Sequence, residues 1–558
     1  MSSSSKAGSP ESYYDLGVYH RSVKTSNTDA QTWFNRGLIW TYGFNHEEAA
    51  TCFERAIQAD PDCAMAYWGL AYALGPNYNK PWEFYEAKEL ETTVERTHRA
   101  AAQANEKAPM ASEVEQALIH ALQFRYPQDR AADDCSIWNQ GFADAMQMVY
   151  EKFPLDIDVA TLYADALMNL NPWKLWDVST GKPTNGARTL EIKQVLEQAI
   201  KQEGGDAHPG LLHLYIHLME MSNSPDEALP MGDLLRGLVP DSGHLNHMPS
   251  HIDILCGDYQ RAILSNSDAI IADEKFLARE GPLNFYTLYR SHDYHFRIYA
   301  AMLSGKLRVA LDTAESLENS IPEDLLRIES PPMADWLEGL LAMRVHILVR
   351  FGKWEELLAM SLPSDQNLYS VTTAMIHYGK GIAYAASGDI EKARAERETF
   401  TRALGRVSET RTIFNNQCVY ILEIAAAMLD GEIEYRCGNF DQAFEYLRKS
   451  IKLDDSLPYD EPWGWMQPTR HAYGALLLER GFVEQAVAVY KADLGVDNTL
   501  PRAHQHPNNV WALHGYHECL VKLGEVDEAA KIGKQLRLAV LNAEVPIHSS
   551  CYCRLTAK

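Results

Sequence analysis

The chain is poor in several features that would direct it elsewhere. Only nine of its 558 residues are cysteine, an odd number scattered along the length, so no disulfide framework is expected to organise it. No apolar run approaches the roughly 18 residues of a spanning helix. The first ten residues, MSSSSKAGSP, lack the charged-then-apolar order of a secretory leader. These absences set the expectation of a soluble, cytoplasmic protein with no membrane partner. Basic residues are short as well: 51 Lys and Arg stand against 76 Asp and Glu, and the net charge of −25 repels phosphate backbones, which excludes nucleic acid as an expected partner. There is no Gly-rich phosphate loop, no dinucleotide fingerprint, no nucleophile elbow and no alternating strand pattern. What remains is a chain 46% hydrophobic and 23% charged, with ample material for a core.

Periodicity supplies the architecture. Trp33, Gly37, Trp40, Ala49, Phe53, Ala56 and Pro61 fall on positions 4, 8, 11, 20, 24, 27 and 32 of a 34-residue frame that starts at Ala30, the tetratricopeptide signature. Small residues at 8 and 20 let the two helices of a hairpin approach, aromatics fill the space between them, and the proline ends the second helix. Further copies start at Pro209, Gly243, Ser291, Ala374, Gln467 and near Asn508, while the stretches 80–155 and 310–340 are degenerate. The predicted fold class is all-α, a tetratricopeptide-type solenoid that can wind into a closed or strongly curved superhelix. Residues 1–26 read as a polar N-terminal arm and 27–558 as one solenoid, with the repeats of interest at about 208–300.

Three segments together resemble a His-rich bacterial and fungal family of tetratricopeptide-domain proteins. They are 60–79 (DPDCAMAYWGLAYALGPNYN), 208–259 (HPGLLHLYIHLMEM…SGHLNHMPSHIDILCGDY) and 292–296 (HDYHF), joined by 462–478 (PWGWMQPTRHAYGALLL) and the ending SCYCR at 550–554. Fungal members of such families can sit among natural-product biosynthetic enzymes. The resemblance therefore implies secondary metabolism and raises the expectation of catalysis without naming a reaction.

Eight of the 20 histidines lie between 208 and 295. In a tetratricopeptide frame, positions 2, 5, 9 and 12 of the first helix point into the concave groove. His213, His217 and Glu220 take positions 5, 9 and 12 of one copy; His244, His247 and His251 take 2, 5 and 9 of the next; His292 and His295 take 2 and 5 of the one starting at Ser291. Two H-x-x-x-H pairs, with Cβ atoms roughly 5–6 Å apart, thus face a common space. Imidazoles so placed suit Cu, Fe or Zn rather than Mg or Ca. The expected core ligands are His213, His217, His247 and His251, with His244, His292 and His295 supplying further ligands. Glu220 is a further ligand, an acceptor orienting an imidazole, or a general base. Pro249 makes the helix start or kink there, leaving open which of His244, His247 and His251 are ligands.

Trp68, Asn77, Trp173 and Trp176 are candidate walls of a substrate pocket. His346 reads as groove-facing or core, His377 as an inward packing residue at position 4, and His504 and His506 as a loop. Cys551 and Cys553, spaced C-x-C, are weak candidates for Cu(I) or Zn(II).

These readings lead to the expectation of a metal-dependent oxidoreductase, an O₂-dependent oxygenase or dioxygenase acting on a small, aromatic substrate. A Zn-dependent hydrolase or isomerase is one alternative. A non-catalytic adaptor binding a peptide or protein in its groove is the other.

Overall fold

The computed structural model describes residues 13–555. It is 66% helix and 2% strand, which makes the fold all-α. The first repeat forms as its signature requires, with helices Thr28–Tyr42 and His46–Ala59. Asn27 caps the first by accepting from the backbone of Asp29 and Ala30, and Asn45 caps the second by accepting from Glu48. Gly37 and Gly69, on successive first helices, both lie against the Phe53 ring. A Cβ on either would sit 2.8 or 2.3 Å from it. The arrangement recurs near the other end, where Gly474 and Gly515 flank Tyr490 at 2.7 and 2.3 Å. One aromatic wedged between two glycine-bearing helices is therefore the packing unit of the solenoid, and a methyl group at any of these glycines would force the helices apart.

Hairpins at Ser370–Ala386 with Ile390–Leu404, at Thr469–Glu479 with Val483–Asp493, and at Val510–Leu523 with Val526–Val540 match the expected copies. The stretch read as degenerate, 80–155, is helical too: Ala87–Lys107 pairs with the preceding Ala64–Leu74, and Glu113–Arg125 with Ile137–Lys152. Between 307 and 359 the helices shorten to pieces such as Glu323–Leu326 and Met333–Leu337. Among the described residues the strands are two antiparallel pairs of two residues each, Trp176–Asp177 with Lys182–Pro183 and Thr412–Ile413 with Asn416–Gln417.

Hydrogen bonds between distant segments measure the winding. Asp15 donates its backbone N–H to Asp241 (2.8 Å), Phe285 to Glu47 (3.1 Å), the Ser330 hydroxyl to Glu86 (2.8 Å) and the Tyr259 hydroxyl to the Pro507 carbonyl (2.8 Å). The separations, 226, 238, 244 and 248 residues, cluster tightly. Roughly seven 34-residue units thus make one superhelical turn, and successive turns touch. The solenoid is strongly curved, and its interior is walled by segments more than two hundred residues apart.

Of the arm assigned to residues 1–26, residues 1–12 lie outside the described residues. Leu16 is buried, Trp40 donates its indole N–H to the Tyr13 hydroxyl (2.9 Å), and Tyr19 packs edge-on against His208 with ring centres 4.7 Å apart. No helix among the described residues is long and apolar enough to cross a membrane.

Candidate metal centre

The helix Pro209–Met219 carries His213 and His217, and every one of its side chains is buried. Its N-terminus is held by His208, whose Nδ1 accepts from Leu211 and whose Nε2 lies 3.2 Å from Asp158, so this first histidine of the segment caps a helix. The next first helix is broken at Pro249 into Gly243–His247 and Pro249–Leu255. The kink, one of two outcomes expected there, keeps all three histidines on the inner side. The helix Thr287–Leu303 brings His292.

Six imidazoles therefore meet. The ligand-capable atoms of His213, His217 and His244 lie within 4.8 Å of one another, and so do those of His247, His251 and His292. His213 Nε2 is 3.1 Å from His244 Nε2, and His247 Nε2 is 2.8 Å from His251 Nε2. Three of the six rings are tied at their other nitrogen. His213 Nδ1 donates to the Tyr42 carbonyl (2.6 Å), His217 Nδ1 to Glu220 Oε1 (3.0 Å) and His247 Nδ1 to Asn266 Oδ1 (2.7 Å). Phe44 covers the first group, with its ring centre 4.4 Å from that of His213.

Burial drives the imidazoles of His213, His244, His247 and His292 well below their ordinary value, and the neighbouring rings push the same way. They are neutral and available as ligands. His251 differs: burial lowers it, but Glu461 and Glu220, at 2.8 and 2.9 Å from Nδ1, raise it to about 10. Against its own burial, the Glu220 carboxyl is held below its usual range by His217 and His251. Burial pushes Glu461 up to about 7 and Asp460 to about 8.

The imidazoles open onto a chamber of about 410 Å³. His217, His244, His251 and His292 form one wall; Trp173, Tyr289, Trp336 and Phe414 form much of the rest. They are drawn from positions as far apart in the sequence as Trp173 and Phe414.

The sequence candidates sort as follows. His213, His217, His244, His247, His251 and His292 come together. His295 does not: its ring is buried with both nitrogens unpartnered, stacked at 6.0 Å on Phe414, and burial lowers it to about 3. Three residues from His292 along one helix, it is offset by about 60° around the axis, which seats it beside Phe414 and outside the two groups of ligand-capable atoms. Glu220 lies behind the imidazoles, bonded to His217 and His251, and does not line the chamber. Its position is that of an orienting acceptor, not of a base facing a ligand. Trp173 lines the chamber, stacking on Tyr78 at 5.3 Å. The other three proposed wall residues are packing: Trp68 is buried against Tyr72, Trp176 donates its indole N–H to the Leu218 carbonyl (2.6 Å), and Asn77 closes the turn to Lys80. His346 is core, edge-on to Trp465 at 4.7 Å. Cys551 and Cys553 are joined as a disulfide with Cα atoms 5.2 Å apart, which removes them as thiolate ligands.

Sequence reasoning missed Glu461, Asn266, Tyr289, Trp336 and Phe414. Asn266 sits in the second helix of its hairpin, outside the groove positions; Glu461 arrives one superhelical turn later, and no local pattern marks it.

Residues 30–63 match the tetratricopeptide repeat family, and no curated protein matches the chain. Among solved structures, Ypp1 is 10% identical with a TM-score of 0.43, covering 94% of this chain and 82% of that one. Yeast Tom70 is 12% identical with a TM-score of 0.29 over 91% and 92%, and the APC/C hetero-tetramer Cut9–Hcn1 is 15% identical with 0.28 over 92% and 87%. Likenesses this distant carry no argument of their own. The expected histidine-rich biosynthetic family receives no support from the comparisons. The expectation of a metal-dependent oxidoreductase is corrected: what the chain matches, over residues 30–63, is a tetratricopeptide repeat, a unit that builds extended binding surfaces. By its matched repeat and its helical hairpins, the chain is a tetratricopeptide-type α-solenoid.

Proposed function

We propose that the protein is a non-catalytic helical-repeat binding protein that receives a segment of a peptide or protein partner in its interior chamber, beside a transition-metal centre held by the clustered imidazoles. The observation that carries this reading is the chamber itself: about 410 Å³, with four imidazoles in one wall and Trp173, Tyr289, Trp336 and Phe414 facing them. Its size is in the roughly 300–1,000 Å³ range of ligand sites, and rigid aromatics around a few polar groups are what anchors a side chain. An all-imidazole set favours Cu, Zn or Fe, and such an ion offers a partner's histidine or carboxylate a coordination position.

Selection of a displayed random-peptide library on the metal-loaded protein tests the reading. Enriched peptides are expected to lose binding to Trp336→Ala and Tyr289→Ala and to weaken when a chelator strips the metal. Peptides that bind these variants as well as the parent would place the docking surface elsewhere, and protein that takes up none of Cu, Zn or Fe would remove the metal from it.

A further inference from the structure

Resting on the metal reading above, we infer that the chamber wall holds a pair of transition-metal ions, one on His213, His217 and His244 and one on His247, His251 and His292.

Proton positions come first. His213 Nδ1 faces only the Tyr42 carbonyl, so it must be the donor, and its Nε2 carries a lone pair. The Asn266 amide donates to the Ala262 carbonyl and to Ser250 Oγ, so its Oδ1 is the acceptor that faces His247. His247 therefore also has a lone pair at Nε2. His217 Nδ1 and His251 Nδ1 face the two oxygens of the same carboxylate, Glu220, at 3.0 and 2.9 Å, and His251 meets Glu461 as well at 2.8 Å. One buried carboxylate thus orients a ring in each set, as acceptors behind metal-bound histidines do.

The inner nitrogens are then crowded: each close pair can share one proton, donated by His244 to His213 and by His251 to His247, and other ring nitrogens of the cluster find no partner. His213 and His244 meet Nε2 to Nε2 at 3.1 Å, His247 and His251 at 2.8 Å, while His217 Nε2, His244 Nδ1 and His292 Nδ1 are buried with no hydrogen-bond partner. Three nitrogens bound to one ion at about 2.0–2.1 Å are spaced by roughly 3.4 Å in tetrahedral geometry. Atoms already within 4.8 Å reach that spacing by small ring rotations.

Geometry also divides the six. The break before Pro249 lets His244 turn toward the helix Pro209–Met219, while His247 and His251 turn toward His292, 4.7 Å from His247 between ring centres. The facing rings of the two sets, His244 with His247 and His217 with His251, are 5.8 and 5.9 Å apart, close enough to make the two ions neighbours. A single ion in the middle would leave the close pair His213–His244 or His247–His251 unused. Glu220 and Glu461 both meet His251 of the second set, at 2.9 and 2.8 Å.

The count of bound metal decides. Metal-stripped protein incubated with Cu(II), desalted and analysed for copper is expected to retain two equivalents, His213→Ala and His292→Ala one each, and the double variant none, with unchanged helical circular dichroism. If an alanine variant loses helical signal, the volume-keeping Gln variants repeat the count. The spin-resonance signal of the doubly loaded protein is expected to be weakened by coupling, and to return to isolated Cu(II) intensity in either single variant. One equivalent in the parent overturns the pair and leaves the single-metal reading intact; none overturns both. Two equivalents with full, uncoupled intensity place the second ion away from the chamber and also overturn the pair.

Discussion

Two histidine clusters among the described residues are built on opposite principles. Around Asp493, near the C-terminal end, His471 Nε2 and His506 Nδ1 each meet a carboxylate oxygen, at 2.9 and 2.8 Å, and the Asn509 amide donates to the same group at 2.9 Å. Each oxygen of Asp493 has a partner there, and the imidazoles help hold its carboxyl well below its ordinary range against its burial. At the chamber, only His217 and His251 of six clustered imidazoles meet a glutamate, Glu220 or Glu461, and several ring nitrogens face one another or nothing. The number of histidines does not separate a structural network from a ligand site. The ratio of donors to acceptors among buried groups does, because an unmet buried nitrogen is costly unless something outside the chain meets it.

Breaking the satisfied cluster should have the largest effect. Asp493→Ala leaves His471, His506 and Asn509 without their shared acceptor and is expected to cost about 3–5 kcal/mol. A thermal midpoint lowered by several degrees with metal uptake unchanged is the expected result, and equal loss of metal would show that the two clusters are coupled.

An acid in the same region without an imidazole sharpens the contrast. Asp454 is pushed up to about 7 by burial, with Thr469 as its side-chain donor. A carboxyl whose folded pKa is raised binds more protons folded than unfolded, so its contribution to stability is full below about pH 4 and is lost as pH rises through about 7. Asp454→Asn should flatten that decline in the thermal midpoint between pH 4 and 8, by up to about 1.4 kcal/mol per unit. An unchanged pH profile would mean that Asp454 is not a titrating group in the fold.

At the chamber, Glu220→Gln should keep the helices intact while weakening metal affinity about 10–100-fold, since it loses the charge that orients His217 and His251. Competition with a chromophoric chelator measures it, and unchanged affinity would remove Glu220 from the centre. The smallest change is expected from His377→Ala. His377 Nδ1 meets Glu396 at 2.6 Å away from the chamber, and its loss should lower stability by about 1 kcal/mol while sparing metal. A change in metal uptake would contradict its packing role.

Local rules made much of this legible in advance. The spacing of Trp33, Gly37, Ala49 and Phe53 belongs to one hairpin, whose contacts are all short-range, so the repeat could be read directly. The H-x-x-x-H pairs could be placed on one face because i, i+4 neighbours are adjacent on any helix. His295 was misplaced because the frame from Ser291 cannot resolve which of two residues three apart looks inward. The helix there begins at Thr287, and only His292 joins the cluster. Trp68 and Trp176 look the same in sequence whether they line a cavity or pack behind one.

The sequence alone determined the class of fold, the hairpin unit and the helix faces that carry the histidines, since each depends on neighbours within a few tens of residues. Tertiary structure decided the rest: that a turn closes after 226–248 residues, that Glu461 arrives behind His251, and that Phe414 and Trp336 line the chamber with the imidazoles. The superhelical pitch is the sum of many small rotations between successive hairpins, each set by packing of side chains across an interface, and no single motif encodes that sum.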